Sequence, residues 1–476
     1  MSLSIHCLLS VQRGEVNSLP TAGFQQKLAW QKGRIVSIVT GCCWFLSKST
    51  RTIQTIWTFP TQAKGIDMNE VILEKYADLI LKAGINFKEG QNLLISAEPI
   101  HWDFVNLLEK RAYENGARYI YSDILSPISK KNRVNYQKEE YLEYLPSYFE
   151  KKMNSFIEEE WSFIRLDGQE NPNVFLDLNQ KKHTTLLKSV GIATKPLVNA
   201  RMSGKCPWCI AGFPTPNWAS LVMESPASEN TTRQFWEILV SVLRLDNDNP
   251  IDAWEKHNET LKNRCKFLND RNLDYLHFEG PDTDLKVYTI PNSIWMGGAL
   301  TSPEGKEFFP NLPTEEVFTT PDFRKTEGKA KVTRSVKVMG DQVKDAWFEF
   351  KDGKVINYGA SEGKDTLDKY LQIDPNASYL GEVALVDTNS PIFQSGKTFH
   401  SILFDENAAC HIALGNGIRV AIKDSKNMED DRLKDLGCNE SIVHTDFMIG
   451  SPDTSVTGYT RNNEKIEIMS NGVFSI

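Results

Sequence analysis

No apolar run in this chain approaches the roughly eighteen residues that a membrane-spanning helix needs. The richest stretch, "VSIVTGCCWFLS", is too short to span and lacks a convincing signal cleavage site. No polybasic run offsets the net charge of −8, which argues against nucleic acid as the main partner. Cysteine is scarce for 476 residues: Cys7, Cys42, Cys43, Cys206, Cys209, Cys265, Cys410 and Cys438 are irregularly spaced. A disulfide framework is not expected, and a reducing cytosol fits better. The pair in Cys206-Pro-Trp-Cys209 has redox spacing, but "IAGFPTPNW" after it reads as a strand running into a proline turn rather than a helix. Two buried thiols are the expectation there. H-E-x-x-H, G-x-S-x-G and G-x-x-x-x-G-K-[ST] are all missing, so three common chemistries lose support.

What remains is an ordinary globular composition, 40% hydrophobic and 24% charged, long enough for two or three domains. Residues 1–67 stand apart. They hold seven Lys/Arg against Glu15 and Asp67, about +5, leaving the rest near −13 of the −8 total. With poor periodicity, 1–67 reads as a leader, disordered or foreign to the mature protein, with Met68 as the natural start and regular structure beginning just after it.

From "MNEVILEKYADLILKAGIN" onward, amphipathic helices alternate with short apolar strands such as "NLLISA", "RYIYSDI", "SFIRLDG" and "PWCIAGF". The helices include a charged one over about 136–159, one near 173–190, and a pair over about 230–245 and 250–270. This alternation implies an α/β domain, 68–272, with a parallel sheet covered by helices on both faces. Past 272 the texture becomes short strands and turns, with a hairpin at Asp352-Gly353 in "AWFEFKDGKVINYG". Residues 273–476 are therefore expected to form a mostly antiparallel β domain. Helices are expected only near 363–372 and at "DENAACHIALG", with Asp405 as N-cap and Gly415 as stop.

The chemical cues fall in four stretches of this second domain: "NLPTEEVFTTPD", "GEVALVD", "FDENAACHIALG" and "SIVHTDFMIGSPD". They bring Glu315, Glu316, Glu382, Glu406, His411, His444 and Asp446 into mostly apolar surroundings with few lysines or arginines. Buried carboxylates without cations are strongly penalised, and metal ions are the economical compensation. Two imidazoles with several carboxylates suit zinc, cobalt or manganese, and surplus carboxylates favour two ions over one. Adjacent Glu315 and Glu316 face opposite ways in an extended segment, whereas His444 and Asp446, two apart on a strand, share a face. Glu406 and His411 would lie about 140° apart on an ideal helix, sharing a site only through a loose first turn.

At these four stretches, and at "LHFEGPDTDLKV", the sequence resembles the thermophilic-type metallo-aminopeptidases, the group of aminopeptidase T, aminopeptidase S and peptidase S. The resemblance spans residues 68–476. It implies two divalent ions (zinc, cobalt, manganese or magnesium) held by Glu316, Glu382, Glu406, His411, His444 and Asp446, with Glu382 bridging. It further implies release of N-terminal residues from short peptides by a homodimer. A carboxylate must then carry a proton to the leaving amine, and a glutamate of the Glu315-Glu316 pair, with Glu316 preferred, is expected to do so in a cytoplasmic enzyme. The family tends to carry a tyrosine just after "HIALG", where this chain has Ile418. Another metal-dependent amidase or carboxypeptidase on the same fold, and a catalytically silent relative, stay open as alternatives.

Overall fold

The computed structural model describes residues 70–175, 178–425 and 428–476, together with four backbone strands before them. Chain contacts divide it into two compact units, Met1–Asp67 and Met68–Ile476. In the first, Lys27–Gln31, Arg34–Val39, Cys42–Leu46 and Ile53–Ile56 pair in sequence order as an antiparallel meander. Regular structure thus begins before Met68; the β-branched and aromatic residues of the apolar run suit strands rather than a featureless leader.

The second unit opens with the expected α/β pattern. Strands Asn92–Ala97, Tyr119–Ile124, Ser162–Asp167, Trp208–Gly212 and Asn311–Leu312 form one parallel sheet in the order 2-1-3-4-5. Near-continuous burial of Leu93, Leu94, Ile95 and Ala97 is what a strand covered on both faces requires. The helices differ in extent from expectation. The charged stretch is an α-helix only over Ser147–Glu158, preceded by a separate helix, Pro127–Tyr136, and the next helix runs over Gln180–Met202, capped by the Asn179 side chain. After Trp208–Gly212 the chain does enter a helix, Pro216–Met223, because Thr215 accepts a hydrogen bond from the Trp218 N–H and Pro216 suits the first turn. Cys206 and Cys209 are nevertheless buried and free, and burial pushes the Cys206 thiol up to about 11.

Helix Pro250–Arg271 ends at Asn272 in left-handed backbone, and strand Leu273–Gly280 follows it. An eight-stranded antiparallel sheet follows, including the hairpin Trp347–Lys351/Lys354–Gly359 turning at Asp352-Gly353, both with positive φ. Against it lies a five-stranded antiparallel sheet in the order Met296–Gly297, Glu316–Thr319, Leu380–Val386, His411–Gly415, His444–Met448. Val383, Leu385, Ile412, Leu414 and Phe447 form one face of this sheet and pack into a core with Phe278 and Phe348. The two halves share their interior. Strand Asn311–Leu312 completes the parallel sheet, and Phe399 and Phe404 sit in the α/β core. Among the described residues, no helix is long and apolar enough to cross a membrane.

One expected element is corrected. "DENAACHIALG" is not a helix: Ile402–Asp405 and a 3-10 turn, Glu406–Ala408, end at Ala409 in extended backbone, and His411–Gly415 is a strand. Its three alanines and final glycine imitate helical signals, but ladders on both sides decide the outcome.

Candidate metal centre

The five-stranded sheet brings the candidate side chains together. Ala413 lies opposite Glu382 on one side and Asp446 on the other, and Gly415 opposite His444. Residues directly opposite or two apart share a face. Glu382, His411, His444 and Asp446 therefore project together, while Ile412, Leu414 and Phe447 turn to the core. Glu316 begins the neighbouring strand, opposite Val386, on the same face. Glycine permits this arrangement at a close approach: a Cβ on Gly381 would stand 2.0 Å from the Asn416 carbonyl oxygen. That carbonyl is the one that accepts from His444.

Two groups of three ligand atoms result, Glu316–Glu382–His411 and Glu382–His444–Asp446, each set lying within 4.8 Å. Glu382 belongs to both. His411 Nε2 is 3.2 Å from Glu316 and 3.9 Å from Glu382; His444 Nε2 is 3.1 Å from Glu382 and 3.4 Å from Asp446. The far nitrogen of each ring faces a main-chain carbonyl: His411 Nδ1 is 3.2 Å from Ala409 O, and His444 Nδ1 is 2.8 Å from Asn416 O. A carbonyl only accepts, so Nδ1 carries the proton and Nε2 is turned to the cluster, the orientation in which histidine ligates a metal.

Electrostatics reflect four acids crowded without enough cations. Burial, reinforced by Glu316 and Asp446, raises the Glu382 carboxyl to about 7. Glu406 is raised as well, by burial and then by Glu316 and Asp446. It faces the cluster but lies outside both groups of three. Burial alone would lower the His411 imidazole, yet the Glu316 carboxylate outweighs it and holds the ring up to about 10. His444 is likewise pushed up by Asp446 and Glu382 against burial. Glu316 Oε2 and Asp446 Oδ1 are buried atoms whose polar approach is from His411 and His444 Nε2, at 3.2 and 3.4 Å. The donor set of imidazole nitrogens and buried carboxylate oxygens converging on one space fits divalent metal.

The model of the thermophilic metalloprotease family (M29) matches residues 69–474. The chain belongs to the M29 family. Aminopeptidase 2 of Geobacillus stearothermophilus is 34% identical over 400 residues, covering 84% of this chain and 97% of that protein. Aminopeptidase T of Thermus thermophilus is 35% identical over 403 residues, with the same coverage. The solved structure of wild-type AmpT from Thermus thermophilus superposes with a TM-score of 0.78 at 32% identity, covering 85% of this chain and 99% of that one.

In this M29 chain the adjacent glutamates do diverge as their spacing predicts. Glu316 joins the cluster, whereas Glu315 pairs with Arg244 at 2.7 Å on the other side of the strand. Arg244, His257 and Asn407 around Glu315 escaped the sequence reading. No local pattern links Glu315 with residues 71 and 92 positions away. A cleft of about 700 Å³ opens onto Glu316 and Glu382, walled by Trp295, Met296, Phe318, Ile418 and Val420. Ile418 therefore lines the cleft as an apolar side chain.

Proposed function

We propose that this M29 metallo-aminopeptidase removes N-terminal residues from short peptides at a centre built for two divalent ions. The observation that carries the reading is Glu382, common to both groups of three ligands and so suited to bridge. Glu316 and His411 would complete one site, His444 and Asp446 the other, with Glu406 approaching both. The four carboxylates match the four positive charges of two divalent ions, with both imidazoles neutral. Bound there, the ions supply Lewis acidity that activates water and polarises a carbonyl.

The chain's own residues supply the rest. Asn416 and Ala409 hold the imidazole rings by their carbonyls. The apolar wall of Trp295, Phe318 and Ile418 receives a side chain and excludes water. Glu316 is assigned the proton transfer from the attacking water to the leaving amine. Glu406 is the second candidate, because it faces the cluster yet lies outside both groups of three ligands. Residues 68–272 would act as the α/β partner of a catalytic 273–476 segment, with 1–67 outside the catalytic unit. A cytoplasmic homodimer completes the reading.

The test is release of leucine from free and N-acetylated leucyl peptides, before and after chelation. The expected result is cleavage of the free peptide only, lost on chelation and restored by zinc or cobalt. Full activity in metal-free protein, or equal cleavage of the acetylated peptide, would overturn it.

A further inference from the structure

Glu315 is fixed from three directions although it does not face the cluster. Its carboxylate takes a two-pronged contact from Arg244, with Nη1 at 2.7 Å and Nη2 at 3.0 Å. His257 Nε2 stands 3.4 Å from the same carboxylate and 2.9 Å from the Thr314 carbonyl. The Glu315 main-chain N–H donates to Asn407 Oδ1 at 2.6 Å. Arg244 is itself held, its guanidinium 4.6 Å over the ring of Trp254, whose Nε1–H donates to the Leu243 carbonyl at 2.9 Å. It reaches Glu315 from left-handed backbone, φ +59°, just past helix Glu229–Val242. A non-glycine residue persists in that conformation where its surroundings dictate it. Asn407 is fully buried; its amide donates to the Leu403 carbonyl at 3.0 Å and lies 3.4 Å from Glu406 Oε1.

The consequence is geometric. In extended chain the direction of one side chain sets that of the next. With the side chain and main chain of Glu315 both clamped, Glu316 has one direction available, toward His411. Asn407 makes the same clamp serve the segment carrying Glu406. A planar, two-pronged guanidinium gives a fixed orientation that a lysine ammonium does not.

We propose that Arg244 and Asn407 are positioning residues of the metal centre, acting through Glu315 to hold Glu316 and Glu406 at the separation the ions require. The proposal rests on the metal-centre reading above. Residues that orient metal ligands typically account for about 10–100-fold in metal affinity or activity. The test strips the full chain with chelator and titrates it with zinc alone, by calorimetry with elemental analysis. It compares wild type with Arg244→Met, Arg244→Lys, Asn407→Ala and the double variant Arg244→Met/Glu315→Leu. The double variant removes both charges of the buried pair, a change that well-packed apolar replacements tolerate. Its folding is followed by the cooperativity of thermal unfolding without metal.

The expected result is a 10–100-fold loss of affinity for one of the two ions in Arg244→Met, Asn407→Ala and the double variant. Arg244→Lys should fall between, and at saturating zinc kcat should drop more than KM rises. A cooperatively folded double variant that binds both ions with wild-type affinity would overturn the proposal and leave the metal centre standing. Wild-type protein that binds no zinc would overturn both.

Discussion

Loading the ion-free centre with metal should expel at least two protons at pH 7. Ligation uses the deprotonated nitrogen and oxygen. Without metal, His411 is held up to about 10, because the Glu316 carboxylate outweighs the lowering effect of burial. His444 is raised by Asp446 and Glu382 in the same way. Both rings therefore carry a full proton at neutral pH, and Glu382, raised to about 7 by burial, holds part of a third. Protons compete with the ion, so affinity must rise with pH until the imidazoles are deprotonated. Each proton released contributes about tenfold, or about 1.4 kcal/mol, per pH unit. The two imidazole protons alone predict a rise of at least about a hundredfold between pH 6 and pH 7. Calorimetric titration with zinc in two buffers of different ionisation enthalpy counts the protons directly. Release of fewer than one proton, or an affinity flat from pH 6 to pH 8, would refute the linked charge network.

The shared position of Glu382 gives a sharper stoichiometry: Glu382→Ala should lose both ions, and Asp446→Ala one, as read by elemental analysis of the purified protein. Equal ion content in the two variants would remove the bridging assignment. The metal-free protein should lose stability as pH rises, since a raised imidazole stabilises fully below its unfolded value of 6.5 and ceases to do so as pH passes about 10. A Tm of the stripped protein that climbs from pH 6.5 to pH 10 would contradict this. Ile418→Ala should reduce kcat/KM for leucyl substrates by about tenfold or more, since even one methylene in an apolar pocket is worth that, and should leave the ion content unchanged.

Much of the site was legible because strand periodicity is simple. In "SIVHTDFMIGSPD" the two-residue spacing set His444 and Asp446 on one face and Thr445 and Phe447 on the other, and Phe447 is fully buried in the core. The pattern failed at "HIALG" because a central strand buried on both faces shows no alternation, leaving only local cues, and those were helical. The consequence was a wrong geometry for Glu406 and His411, which are related by a turn and a strand rather than by a helical arc. The Arg244–Glu315 pair was illegible for a different reason. Nothing local marks an arginine as the partner of a glutamate 71 residues away when the contact is made by tertiary packing.

The register also explains why alanine occupies the middle of the ligand face. Ala413 sits two residues from His411 and directly between Glu382 and Asp446, fully buried. Opposed Cβ atoms on an antiparallel ladder are about 4.5–5.5 Å apart. Any larger side chain at 413 would thus extend into the space bounded by Glu382, His411 and Asp446. Ala413→Val isolates this effect. A β-branched residue suits a strand, and two added methyl groups in a packed interior cost about 1–3 kcal/mol, too little to unfold a large domain. The same two methyls would occupy volume that ligand atoms share with an ion. Ala413→Val should therefore unfold cooperatively at a modestly lower Tm yet bind at most one ion and lose peptidase activity. A folded Ala413→Val protein that retains two ions and wild-type kcat would show that the centre lies elsewhere than between these three strands.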